Sequence, residues 1–191
     1  MTQRNINVSS NLGAIPMRVS LLAVAFALLP GVAAAQSAPV ADAFRDFANN
    51  EAKHLTAAAD LMPADKFSFA PTPAQMTFGA IMTHLAEGND YFCGAIGGMK
   101  APERSKVAAT DKKDVLVARL KETFDFCSKA LAGVDDSKLG EQLPFFGGKT
   151  KSRAAVMTLT TGDWADHYSQ VAIYLRLNGV LPPTAQKQAA E

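Results

Sequence analysis

Apolar positions recur at helical spacing in four segments, each closed by a helix-breaking residue. The first runs from about Val40 to Met62, with Phe44, Phe47, Leu55, Ala58 and Leu61 inward and Pro63 closing it. The second starts at Thr77, a residue suited to an N-cap, and runs to about Gly97 with Phe78, Ile81, Leu85, Phe92 and Ile96 on one side. The third spans about Asp111 to Leu131, with Asp111 as its cap and Val117, Leu120, Phe124 and Leu131 inward. The fourth spans about Ser152 to Asn178; Asn178-Gly179 is a C-terminal stop, and Pro182-Pro183 forbids continuation. No segment alternates with period two, so no strand is predicted. Four amphipathic helices of this length predict an all-α domain, a four-helix bundle. The Pro63 to Met76 connection holds three prolines and two phenylalanines, long enough to cross a bundle end. Val134 to Lys151, with Gly140, Pro144, Gly147-Gly148 and the apolar Leu143, Phe145 and Phe146, reads as a loop packed over the bundle end. The tail after Pro183 is polar and is expected to fray.

The N-terminal residues follow a different pattern. Arg4 and Arg18 give a positive start, Val19 to Leu29 is apolar and uncharged, and Pro30-Gly31 breaks it. Ala33-Ala34-Ala35 then offers a small-residue cleavage pattern before Gln36. Residues 1–35 therefore read as a secretory signal peptide, and Met17 to Ala35 is a complete signal by itself. The apolar run is too short for a membrane span of about 20 residues, and no later stretch is long enough. The expected mature chain, residues 36–191, is one domain, periplasmic or secreted. Removing the two arginines leaves seventeen basic against eighteen acidic residues. That balance gives nucleic-acid binding no electrostatic support. In an oxidising compartment Cys93 and Cys127 could form one disulfide. Cys127 shares a face with Leu120, Phe124 and Leu131, whereas Cys93 lies on a helix flank, so two small buried hydrophobes are the alternative.

The candidate chemistry lies on the fourth helix. Asp163 and His167 are four residues apart, on the side that carries Val156, Thr160, Val171 and Tyr174. Two polar groups on an apolar face are costly to bury unless something satisfies them, and a divalent metal would satisfy both. His84, on the second helix, is the third candidate ligand. Two histidines and a carboxylate suit zinc first, with manganese, iron or nickel as alternatives, and leave positions open for water or substrate. The competing reading is two structural histidines and an acid facing backbone or a basic partner. His54 shares a face with Phe47, Ala58 and Leu61 and is a core, groove or supporting histidine. Trp164, Gln170 and Tyr174 are either core packing or the wall of a ligand cavity. No phosphate loop, Gly-x-Ser-x-Gly elbow, Cys-x-x-Cys pair or His-Glu-x-x-His motif is present.

Met62-Pro63-Ala64-Asp65-Lys66-Phe67-Ser68-Phe69-Ala70-Pro71-Thr72-Pro73, then Met76-Thr77-Phe78-Gly79 and His84-Leu85-Ala86, resembles the DinB family. So does Asp163-Trp164-Ala165-Asp166-His167-Tyr168-Ser169-Gln170 with Tyr174-Leu175-Arg176-Leu177-Asn178-Gly179. The resemblance covers nearly all of residues 36–191. It implies an up-down-down-up four-helix bundle with a divalent metal held by one histidine on the second helix and a His-x-x-x-His pair on the fourth. His84 and His167 match the outer ligands, and Asp163 stands where the middle histidine is commoner. Thiol-dependent branches place a carboxylate there. The resemblance thus implies a metal-dependent enzyme, either a hydrolase or a thiol-dependent transferase, with homodimerisation a family habit. The alternative is a non-catalytic bundle that binds a small ligand or dimerises around a vestigial site.

Overall fold

A computed structural model describes residues 38–186; the signal-peptide reading of residues 1–35 lies outside them. Four long helices dominate: α1 (Pro39–Leu61), α2 (Phe78–Gly97), α3 (Lys113–Leu131) and α4 (Arg153–Leu177). A short hairpin, β1 (Gln142–Phe145) and β2 (Lys149–Ser152), precedes α4, and a single turn, α5 (Pro183–Gln186), follows it. Each of α1 and α2 packs against both α3 and α4. Their inward faces form one apolar core that includes Phe44, Leu55, Phe78, Ile81, Leu85, Leu120, Trp164 and Val171. Among the described residues no helix is long and apolar enough to cross a membrane.

The helix ends have identifiable causes. Thr77 Oγ1 accepts from Ala80 N at the start of α2, and Ser152 Oγ accepts from Ala155 N at the start of α4. Both satisfy amides that a first helical turn leaves without partners. At α1 the cap comes from a distant residue: Asp136 accepts from Val40 N and Ala41 N, tying α1 to the segment after α3. Asp111 does not cap α3 as expected. Its carboxylate instead accepts from Ala108 N, and the helix begins two residues later, after Lys112.

Two further expectations change. The predicted loop before α4 contains an antiparallel hairpin in which Leu143 pairs with Lys151 and Phe145 with Lys149. The fold is therefore mostly helical but not purely so. Pro144 sits inside β1 and β2 is Lys-Thr-Lys-Ser, so neither strand carries an alternating pattern of its own. The turn supplies the signal, because Gly147 and Gly148 both adopt positive φ, a conformation that costs glycine little. Cys93 is fully buried rather than at a flank, and it is disulfide-bonded to Cys127 with the Cα atoms 5.0 Å apart. The bridge joins α2 to α3. One turn past Cys93 the helices approach so closely that a Cβ on Gly97 would fall 2.2 Å from Ala130 O.

Candidate metal centre

The register of α2 against α4 places the site. Tyr174, near the end of α4, donates its hydroxyl to Met76 O just before α2, at 2.9 Å. Trp164, a residue nearer the start of α4, donates Nε1–H to Asn89 Oδ1 at 2.8 Å. The two bonds fix the helices antiparallel, with His84 between them on α2, His167 between them on α4 and Asp163 just beyond Trp164. One ligand atom from each of these three residues lies within 4.8 Å of the others. His84 Nε2 and His167 Nε2 each stand 3.5 Å from Asp163 Oδ1, and the imidazole centroids are 4.7 Å apart. His167 is buried, Asp163 half-buried and His84 exposed, so the cluster opens to solvent along the α2 side.

A separation of 3.5 Å is long for a hydrogen bond between charged partners. It matches the spacing of two ligands on one ion, since ligand atoms about 2.1 Å from a tetrahedral zinc are roughly 3.4 Å from each other. His167 Nδ1 is buried and has no hydrogen-bond partner. The convergence rests on the facing atoms His84 Nε2, Asp163 Oδ1 and His167 Nε2; Nδ1 is the other nitrogen of the His167 ring. The donor set of two imidazoles and a carboxylate fits a divalent cation.

The electrostatics favour an anionic Asp163. Burial pushes its carboxyl up, but the imidazoles of His167 and His84 together outweigh burial and hold its pKa below the ordinary carboxylate value. For His167, burial opposes the charged form, and the Asp163 carboxylate overcomes it and raises the imidazole pKa. Gln170 also favours the charged imidazole, although it makes no hydrogen bond of normal geometry to Nδ1. It donates instead to Asp166 Oδ2 at 2.7 Å.

The remaining sequence candidates divide. Trp164 is in the packed interior between Phe44 and Phe124, and Tyr174 is buried against Phe69. Both lie in the core and hold the helix register. His54 stacks on Tyr168, the neighbour of His167, and lies 3.5 Å from Glu51 Oε1. Glu51 went unnoticed in the sequence. It is buried, its Oε2 has no partner, and burial raises its pKa against the opposing pull of His54. Asn89 was also missed, although an asparagine one turn from Leu85 on an inward face marks a buried hub. It accepts from Trp164 and donates to Thr123 Oγ1 at 3.2 Å. A cavity of about 1000 Å³, lined by residues that include Asp60, Phe67, Thr77, Lys113 and Val117, does not touch the triad.

A mostly helical domain with two histidines and a carboxylate shared between two antiparallel helices thus defines the class. The chain belongs to the DinB superfamily, whose model matches residues 49–171. Among solved structures, a DinB-like protein from Bacillus cereus superposes with a TM-score of 0.62 at 16% identity, covering 74% of this chain and 95% of that one. A DinB-like protein from Bacillus subtilis gives 0.58 at 16% identity, over 72% of this chain and 92% of that one. A variant of the mycothiol-dependent maleylpyruvate isomerase gives 0.57 at 11% identity, over 69% of this chain and 60% of that one. At these identities the likeness establishes the fold. No curated protein matches the chain.

Proposed function

We propose that this protein is an exported, metal-dependent enzyme of the hydrolase type, built as an up-down-down-up four-helix bundle. His84, Asp163 and His167 would hold one divalent cation, zinc before manganese, iron or nickel. The observation that carries this reading is the convergence of the three donors, with Asp163 Oδ1 equidistant from the two imidazoles. A cation bound there would supply Lewis acidity, lowering the pKa of a bound water or polarising a carbonyl. Asp163, held anionic, supplies the hard oxygen; His167, buried, sets the ion's depth; His84, exposed, leaves the substrate side open. Export is supported by the N-terminal residues and by the Cys93–Cys127 disulfide, a bond that persists in oxidising compartments. Thiol-dependent transfer is the second reading, named by the mycothiol-dependent structural neighbour. Low-molecular-weight thiols are cytosolic reagents, and that favours hydrolysis for an exported chain.

Metal analysis of protein purified without chelator tests the proposal. One ion per chain is expected, lost in His84→Ala and His167→Ala. Sub-stoichiometric metal that does not fall in either variant rejects it.

A further inference from the structure

Beyond the cluster's open side, one stripe of α2 leads past Gly88 to exposed aromatic rings. On α2, His84, Gly88 and Tyr91 occupy one stripe, because residues four and seven apart return to the same face. Tyr91 lies about 10.5 Å along the axis from His84 at 1.5 Å per residue. On α4, Ala154, Met157, Thr158, Thr161, Gly162 and Ala165 line a cavity with α1. Asp163 meets His84 on the opposite edge, so Leu159, one turn before Asp163, faces the α2 side, where it is 45% exposed. Since α2 and α4 are antiparallel, moving from His84 to Tyr91 runs beside the path from Asp163 to Leu159 and on to the hairpin.

The hairpin closes this stripe with aromatic rings. Phe146, at the turn, is 56% exposed and stacks on Tyr91 with centroids 4.6 Å apart and planes 13° from parallel. Phe92 and Phe145 pack edgewise against Phe146 from behind. Tyr91 is itself 39% exposed. Gly88 has only the Phe92 ring within 4 Å of where a Cβ would sit, so the helix surface is low there, with the exposed Glu87 along its outer edge. An exposed, mutually braced aromatic wall is an expensive surface to leave in water, and flat apolar ligands recover that cost by stacking.

We propose that Tyr91 and Phe146 form the subsite for the aromatic end of the substrate whose reacting group lies at the His84–Asp163–His167 centre. The inference rests on the metal reading above. It assigns the substrate class: an extended molecule with a metal-seeking polar head and an aryl tail about 10 Å away. Gly88 and Leu159 form the passage between them.

The test measures binding to the zinc-loaded protein. Acetohydroxamate probes the head position alone, and phenylalkyl hydroxamates with progressively longer spacers probe the tail. Affinity is expected to rise by about tenfold over acetohydroxamate when the spacer spans the distance from His84 to Tyr91. In Phe146→Ala and Tyr91→Ala that ratio should collapse towards one. Both side chains are substantially exposed, so the variants should fold, and unchanged melting curves would verify it. A flat series, or a gain that survives both substitutions, overturns the subsite while leaving the metal reading standing. Failure of acetohydroxamate itself to bind overturns the metal reading and the subsite with it. Sedimentation gives the remaining outcome: a dimer that Phe146→Ala converts to monomers makes the rings a contact between copies and overturns the proposal.

Discussion

Two polar clusters lie within two turns of each other along the α2–α4 seam, and they are built on opposite principles. Around Asn89 the principal side-chain groups are matched: Trp164 donates to its carbonyl, its amide donates to Thr123, and Thr123 donates to Leu120 O. Around Asp163 the groups converge without closing, with two gaps of 3.5 Å between the imidazole Nε2 atoms and the carboxylate. A buried polar network that is fully satisfied rigidifies a core. One left short of partners is costly and calls for a ligand. The closed cluster holds the register that keeps the open one poised.

The widest separation between the two should come from Trp164→Ala. It removes a fully buried indole and strips Asn89 of its donor, at a cost of about 3–5 kcal/mol in denaturant unfolding. Next is the bridge beside the closed cluster, where Cys127 Sγ lies 3.7 Å from Asn89 O. Reduction, or Cys93→Ser with Cys127→Ser, should cost about 2–4 kcal/mol, read from the shift in denaturation midpoint. At the open cluster the effect appears only with metal. Zinc at a hundredfold excess over Kd should stabilise the protein by about 2.7 kcal/mol, a gain that His167→Ala should abolish. Stabilisation that persists in His167→Ala would place the ion elsewhere.

The smallest effect concerns pH in the metal-free protein. His167 has a raised pKa, so its pairing with Asp163 stabilises fully below the ordinary histidine value of 6.5 and is lost as pH rises through the folded value above it. Asp163 has a lowered pKa, so its contribution is present above 3.8 and is lost as pH falls through the folded value below it. Their shared window lies between those two ordinary values. His84→Ala with Asp163→Asn should lower stability across that window and flatten the falls that flank it, above 6.5 and below 3.8, as a pH series of urea melts would show. Zinc affinity runs the other way, increasing with pH until His167 is deprotonated, because the ion and the proton compete for the same nitrogen.

Much of this was legible before folding was considered. The apolar periodicity located α1, α2 and α4 to within a residue or two, and the acid–histidine pair announced itself by its four-residue spacing. Asp111 misled because an aspartate can bond to several nearby amides, and which one wins depends on the loop that leads into the helix. The hairpin was invisible because its strands owe their pairing to the Gly147-Gly148 turn and to Phe92 beneath, not to alternation. Cys93 was placed at a flank because helix phase alone cannot show that α3 closes over that edge. Asn89 and Glu51 escaped notice for a related reason: a polar residue on an inward face acquires meaning only from what the other helices bring to it.

X-ray absorption at the zinc edge of the loaded protein tests the central claim most directly. Convergence of His84, Asp163 and His167 predicts nitrogen and oxygen neighbours at about 2.0–2.2 Å, with outer-shell scattering from two imidazole rings that falls to one in His84→Ala. A spectrum of oxygen neighbours alone, unchanged by that substitution, would contradict it.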